Sequence, residues 1–128
     1  MRVTLQYEKL ALRVKAAKSH LEVVSPPTIA GRSGVTHRFD FVAVGGKKRL
    51  AFDICEMVSE TDVIKTFAKQ LDTGASAFII LAGERMTEGA ARLAAEYGLR
   101  VLRPPDFGSA FRTREISASA TSPLTKQR

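Results

Sequence analysis

Apolar and polar residues alternate most regularly between Arg38 and Glu56, RFDFVAVGGKKRLAFDICE, where a period of two predicts two strands joined by a glycine turn. Phe39, Phe41, Leu50, Phe52 and Ile54 fall on one side; Arg38, Asp40, Ala51, Asp53 and Cys55 fall on the other. One side is then core and the other a cleft. With a four-residue loop from Gly45 to Lys48, Val44 pairs with Arg49 and Asp40 stands opposite Asp53. With a two-residue Gly45-Gly46 loop, Asp40 faces Ala51 and lies diagonal to Asp53. Either register brings the two carboxylates together. Opposed like charges cost a sheet up to roughly 1 kcal/mol, so the pair calls for a divalent cation or a positive neighbour. Arg38 and Arg49, as surface ion pairs, are the second way to supply that charge.

Around this hairpin the periodicity changes. Leu5, Leu10, Leu12, Val14, Ala17 and Leu21 predict a helix over residues 4–20 with a basic outer face. Leu21 to Ser25 reads as a short strand ended by Pro26-Pro27, and Gly31 to Gly34 as a loop leading into the hairpin. Ser59, with Asp62 three residues on, caps a helix over 60–72 whose core side is expected at Val63, Ile64, Phe67, Ala68 and Leu71. Ala77 to Ala82, AFIILA, is a continuous apolar run between Gly74 and Gly83, as for a parallel strand buried on both faces. Thr87 caps a helix to Tyr97, Gly98 ends it, and Leu99 to Arg103 makes a last strand. The series is αβββαβαβ, an α/β fold with a mixed central sheet flanked by helices. Residues 112–128, rich in Ser, Thr, Arg and Lys, read as a basic flexible tail after a single domain over 1–111.

Charge narrows the partner. The 128-residue chain carries a formal charge of +7, and the distribution is uneven. Residues 1–50 hold 10 Lys/Arg against 3 acids, residues 51–111 hold 6 against 9, and residues 112–128 hold 4 against 1. Basic flanks around an acidic middle suit DNA, with cations on the backbone and carboxylates on a metal. One cysteine excludes an intrachain disulfide framework and a cysteine-based zinc cluster. The absence of a long apolar run or an apolar leader sets the expectation of a cytoplasmic protein without a membrane partner.

Helix, three mostly antiparallel strands with acids on the second and third, helix and buried strand is an order that resembles the restriction-endonuclease-like PD-(D/E)xK superfamily. GRSGVTHRFDFVAV, Gly31 to Val44, is similar to the G-x-x-G…D segment of its Mrr-like and archaeal Holliday-junction-resolvase-like branches. Phe52-Asp53-Ile54-Cys55 lies where the (D/E)-x-K strand lies, and Lys69-Gln70, FIILA and GLRVL resemble the end of that core. The resemblance covers roughly Leu5 to Leu102. It implies Asp40 and Asp53 binding Mg²⁺ or Mn²⁺, a water attacking phosphorus and a lysine beside the developing charge.

The chain departs from that pattern at Cys55, which stands at the lysine position. Lys65 or Lys69 are the candidate substitutes, yet a core face centred on Phe67 and Leu71 turns both more than about 120° away. On that reading Asp62, Lys65, Lys69 and Asp72 form a solvated ion-pair stripe. Glu56 and Glu60 are candidate further metal ligands or ordinary helix N-terminal acids. Gln70 borders the core face and can reach the cleft, Glu8 can reach it from the first helix, and His37 is near Asp40 in sequence. Arg32, Arg38, Lys47, Lys48 and Arg49 form a candidate track for nucleic-acid phosphates. Two functions follow: a metal-dependent endonuclease or resolvase, or a catalytically degenerate fold that binds DNA or a protein partner in repair or transcription. The resemblance also implies a homodimer, since cutting two strands needs two sites.

Overall fold

In a computed structural model of the chain, which describes residues 3–103 and 106–111, a five-stranded mixed sheet lies between two helical layers. The expected tail over 112–128 lies outside the described residues. The elements run α1 (Val3–Lys18), β1 (Glu22–Val23), β2 (Thr28–Ala30), β3 (Thr36–Arg38), β4 (Phe41–Gly45), β5 (Lys48–Val58), α2 (Glu60–Thr73), β6 (Ser76–Met86), α3 (Glu88–Tyr97), β7 (Arg100–Leu102) and α4 (Phe107–Phe111). The sheet order is β1-β4-β5-β6-β7, antiparallel up to β5 and parallel from β5 to β7, while β2 and β3 form a separate small sheet. No helix among the described residues is long and apolar enough to cross a membrane.

Strand alternation divides the core. Leu12 and Ala16 of α1 pack with Phe41, Leu50, Phe52, Ile54, Phe78 and Ile80 on one face. Val63 of α2 and Ala90 and Ala94 of α3 pack with Val42, Ala51, Ile79 and Leu81 on the other. β6 therefore contributes to both sides, as its unbroken apolar run predicts. β6 also passes through Gly83 instead of ending there. The Glu56 carbonyl, at a register shift in β5 between Cys55 and Met57, occupies the space a Gly83 side chain would need.

The hairpin register is the one with Val44 opposite Arg49, closed by Gly45 opposite Lys48. Phe39 corrects the predicted alternation. The chain breaks between β3 and β4, so Phe39 packs with Ile29 and Val63 on the α2 side while Phe41 faces α1. β2 and β3, absent from the predicted series, are only three residues each, too short to show a period.

Helix α2 sits differently from the expected wheel. Ser59 caps it through a full capping box with Asp62, and Gly74 ends it with φ of 76°. Val63, Thr66 and Thr73 are its buried positions, whereas Ile64 is 49% and Leu71 60% exposed. The inward face is largely polar and is satisfied by hydrogen bonds. Thr66 Oγ1 donates to Asp53 Oδ2 at 2.7 Å, and Gln70 Oε1 accepts from Ala77 N at 3.0 Å. Phe67 instead stacks on Tyr97 of α3, with ring centroids 4.3 Å apart.

Asp72 fastens the small sheet to the end of α2. Its carboxylate accepts from Ser33 N at 3.0 Å and Ser33 Oγ at 2.6 Å, and His37 Nε2 lies 2.7 Å from Oδ2. The Ser33 and His37 hydrogen bonds hold the Asp72 carboxyl down at about 2. A depressed folded-state value stabilises above the ordinary carboxylate range and is lost as pH falls from about 4 toward 2. Asp72→Asn is expected to lower the urea midpoint at pH 6 and to leave it unchanged at pH 2. Equal effects at both pH values would contradict the assignment.

Candidate functional site

Asp40 and Asp53 line one cleft of about 320 Å³, together with Arg38, Cys55, Lys65 and Lys69. Asp53 points toward α2 because it shares strand parity with Ala51, whose side chain packs on that face. Asp40 occupies the break before β4, where its N donates to Phe52 O at 2.9 Å and its Oδ2 accepts from Ile54 N at 2.7 Å. Backbone on both sides of Asp53 therefore orients Asp40.

Lys69 is the main correction to the expected ion-pair stripe. Its Nζ lies 2.9 Å from Asp53 Oδ2, donates to Arg38 O at 2.8 Å and sits 4.4 Å from the Phe39 ring centroid. The Lys69 and Asp53 side chains are 18% and 15% exposed, so this pair is well shielded. The wheel misplaced Lys69 because it assigned the inward direction to Ile64 and Leu71, while Thr66, Gln70 and Thr73 hold it. Lys65 lines the same cleft from a more exposed position.

Other expected members lie elsewhere. Gln70 is engaged with the Ala77 amide and does not line the cleft. Glu60 is exposed and its carboxylate lies against Gly89 of α3; Glu56 is exposed within β5; neither lines the cleft. His37 pairs with Asp72, away from Asp40. Glu8 is buried on α1, outside the cleft, and its Oε1 has no hydrogen-bond partner among the described residues. Burial pushes its carboxyl above the ordinary range. Lys47 and Lys48 stand at the hairpin turn, and Lys48 is about 16 Å along β5 from Asp53 at 3.3 Å per residue. Lys48 Nζ there donates to Phe111 O at 2.9 Å.

Asp62 and Thr66 join the cleft without having been singled out for it. Asp62 was read as a capping residue and as part of the ion-pair stripe, and it does cap. Thr66 had a usable signal, because Thr66, Gln70 and Thr73 recur at helical spacing with Val63.

Cys55 cannot replace a lysine. Its thiol is pushed up to about 12 by burial and then by the charges of Asp62, Asp53 and Asp40, so it remains neutral at physiological pH. Alkylation of Cys55 by iodoacetamide is expected to be far slower at pH 8 than that of a free thiol and to accelerate only toward pH 12. Rapid labelling at pH 8 in the folded protein would refute this.

Among the described residues, no three His, Cys, Asp or Glu side chains cluster as a metal cage. The two aspartates still fit Mg²⁺, which is held by one or two carboxylates and keeps water or substrate oxygens at its remaining positions. The Oδ1 atoms of Asp40 and Asp53 carry no hydrogen bond among the described residues.

No family model matches the chain, and no curated protein matches it. Among solved structures it is similar to the crystal structure of a protein of unknown function, AF1548, with a TM-score of 0.57 and 16% identity over 90% of this chain and 72% of that one. The likeness concerns the mixed α/β fold.

Proposed function

We propose that the chain is a metal-dependent DNA endonuclease or resolvase of the restriction-endonuclease-like fold, in which the motif lysine has moved from the β5 strand to α2. The observation that carries this reading is Lys69 Nζ at 2.9 Å from Asp53 Oδ2, in the cleft that also holds Asp40. Two carboxylates and one ammonium from three adjoining segments supply the three charges this hydrolysis requires.

Asp40 and Asp53 would hold Mg²⁺ or Mn²⁺ through their free oxygens, and the metal when bound polarises the phosphodiester and acidifies a water. Ile54 N–H and the Thr66 hydroxyl fix the orientation of the two carboxylates. Lys69 offers its ammonium to the charge developing on the phosphate, and Phe39 and the Arg38 carbonyl keep it in place. Arg38, on the rim, meets the backbone of the bound strand. Two such sites in a twofold homodimer would address both strands.

A second reading, a DNA- or protein-binding module without catalysis, is favoured because, among the described residues, no three His, Cys, Asp or Glu side chains come together to hold a metal, Asp62 at the cleft included. Calorimetric titration of Mg²⁺ and Mn²⁺ separates the two. Wild type is expected to bind metal and to cut a plasmid or a four-way junction, and Asp40→Asn/Asp53→Asn to do neither while still binding DNA. Absence of both metal binding and cleavage in wild type would establish the binding module.

A further inference from the structure

Beyond the cleft, two guanidinium groups converge over one exposed glycine. A Cβ built on Gly74 would lie 3.2 Å from Arg32 Nη2 and 3.4 Å from Arg49 Nη2. Arg32 stands between β2 and β3 and Arg49 near the start of β5, so two separate elements deliver the charges to one point. Like charges repel, and their approach needs a cause.

Arg49 has part of one. Its Nη2 donates to Thr73 O at 2.6 Å, at the C-terminal end of α2 where a cation is favoured. Arg32 does not share it, because its side chain makes no hydrogen bond or ion pair among the described residues. The backbone of Arg32 is nevertheless held firmly. Its N donates to Asp72 O at 2.9 Å, and the adjoining Ser33 is clamped by the Asp72 carboxylate. The helix end has no need of a second cation either. Lys69 O accepts from Thr73 Oγ1 and Gln70 O from Gly74 N, in addition to the bonds to Asp72 O and Thr73 O. The acid nearest this point in sequence, Asp72, is engaged by Ser33 and His37.

We propose that Arg32 and Arg49 form a binding site for a backbone phosphate of the DNA strand whose scissile phosphate lies at Asp53 and Lys69, an inference that rests on the nuclease reading. Guanidinium forks match phosphate oxygens and are weakly hydrated. The spacing agrees with a strand path. Gly74 follows Lys69 by five residues, about 7.5 Å along α2 at 1.5 Å per residue. That is about the separation of neighbouring phosphates on one strand, which exceeds the axial rise of roughly 3.4 Å because the backbone winds around the axis. Gly74, with φ of 76° and no side chain, lets both guanidinium groups come this close.

The test is equilibrium binding of a labelled 20-bp duplex in EDTA across a salt series, for wild type, Arg32→Gln, Arg32→Gln/Arg49→Gln and Arg49→Lys, with melting curves to confirm folding. The slope of log K against log salt is expected to fall by about 0.9 in Arg32→Gln and about 1.8 in the double variant. Arg49→Lys should retain the wild-type slope. An unchanged slope in folded Arg32→Gln overturns the proposal. If wild type binds no duplex, the nuclease reading fails, and inorganic phosphate titrated while the Gly74 amide is followed by NMR decides the site separately. A shift seen in wild type and absent in Arg32→Gln supports it; no shift, or the same shift in both, overturns it.

Discussion

Lys69→Ala is expected to lower metal-dependent cleavage by roughly 10²- to 10³-fold, the usual effect of removing one preorganised charge-stabilising group. Cys55→Lys in the same background is expected to recover much of the loss. Residue 55 shares strand parity with Asp53 and already lines the cleft, so a lysine there projects toward the same carboxylates from the β5 side. Single-turnover cleavage of a supercoiled plasmid measures both. Recovery separates a missing positive charge from a loosened helix, because residue 55 cannot restore the contact between α2 and the Arg38 carbonyl. Undiminished cleavage in Lys69→Ala would remove Lys69 from the chemistry, and Lys65→Ala would then be the variant to examine. A further loss in the double variant would show that position 55 cannot serve as the source of the charge.

Phe52→Ala is expected to cost about 3–5 kcal/mol, a large share of the 5–15 kcal/mol by which domains of this size are stable. The ring is fully buried and lies 5.9 Å from Phe41, 5.3 Å from Phe78 and 5.7 Å from Phe111, centroid to centroid. Removing it opens a void between β4, β6 and α4 together, and relaxation of one element cannot close all three sides. Phe52→Leu keeps most of the volume and should cost less than half as much. Chemical denaturation of the variants gives both values, and a cost below 1 kcal/mol for the alanine variant would contradict the packing described. Position 52 precedes Asp53 directly, so the same variant should also reduce metal affinity at temperatures where the protein remains folded.

Much of the scaffold was legible because its signals are local. The Phe-rich alternation of β4 and β5, the apolar run inside β6, the Ser59 and Thr87 caps and the Gly98 stop each depend on neighbours a few residues apart. The proximity of Asp40 and Asp53 followed from either of the two registers considered, and the observed register is the one with Val44 opposite Arg49. The orientation of α2 was not legible from apolar periodicity. Its exposed side carries Ile64 and Leu71, and its inward side carries threonine and glutamine whose partners are on β5 and β6. Hydrophobic patterning is blind to a helix face seated by hydrogen bonds, and the position of Lys69 was lost with it. Glu56 and Glu60 failed for a different reason: nearness to Asp53 in sequence does not survive the register shift in β5 and the turn into α2. The change of side at Phe39 comes from a chain break that composition does not mark.

The seating of α2 by Thr66 and Gln70 has a thermodynamic consequence. Carboxylates on the sheet and the ammonium on a helix belong to one arrangement only while that helix is docked, so the cleft's charge balance is a property of a cooperative opening unit. When α2 lifts, Asp40 and Asp53 are left facing each other without their counter-charge, and the repulsion exposed there raises the energy of the open form, so the Lys69 ammonium helps to hold the helix down. Native-state hydrogen exchange should therefore show the Ala77 amide, bonded to Gln70, opening together with the amides of α2 and at lower free energy than Phe52 and Ile54. The electrostatics that would serve catalysis thus also set how readily this one helix detaches from an otherwise intact sheet.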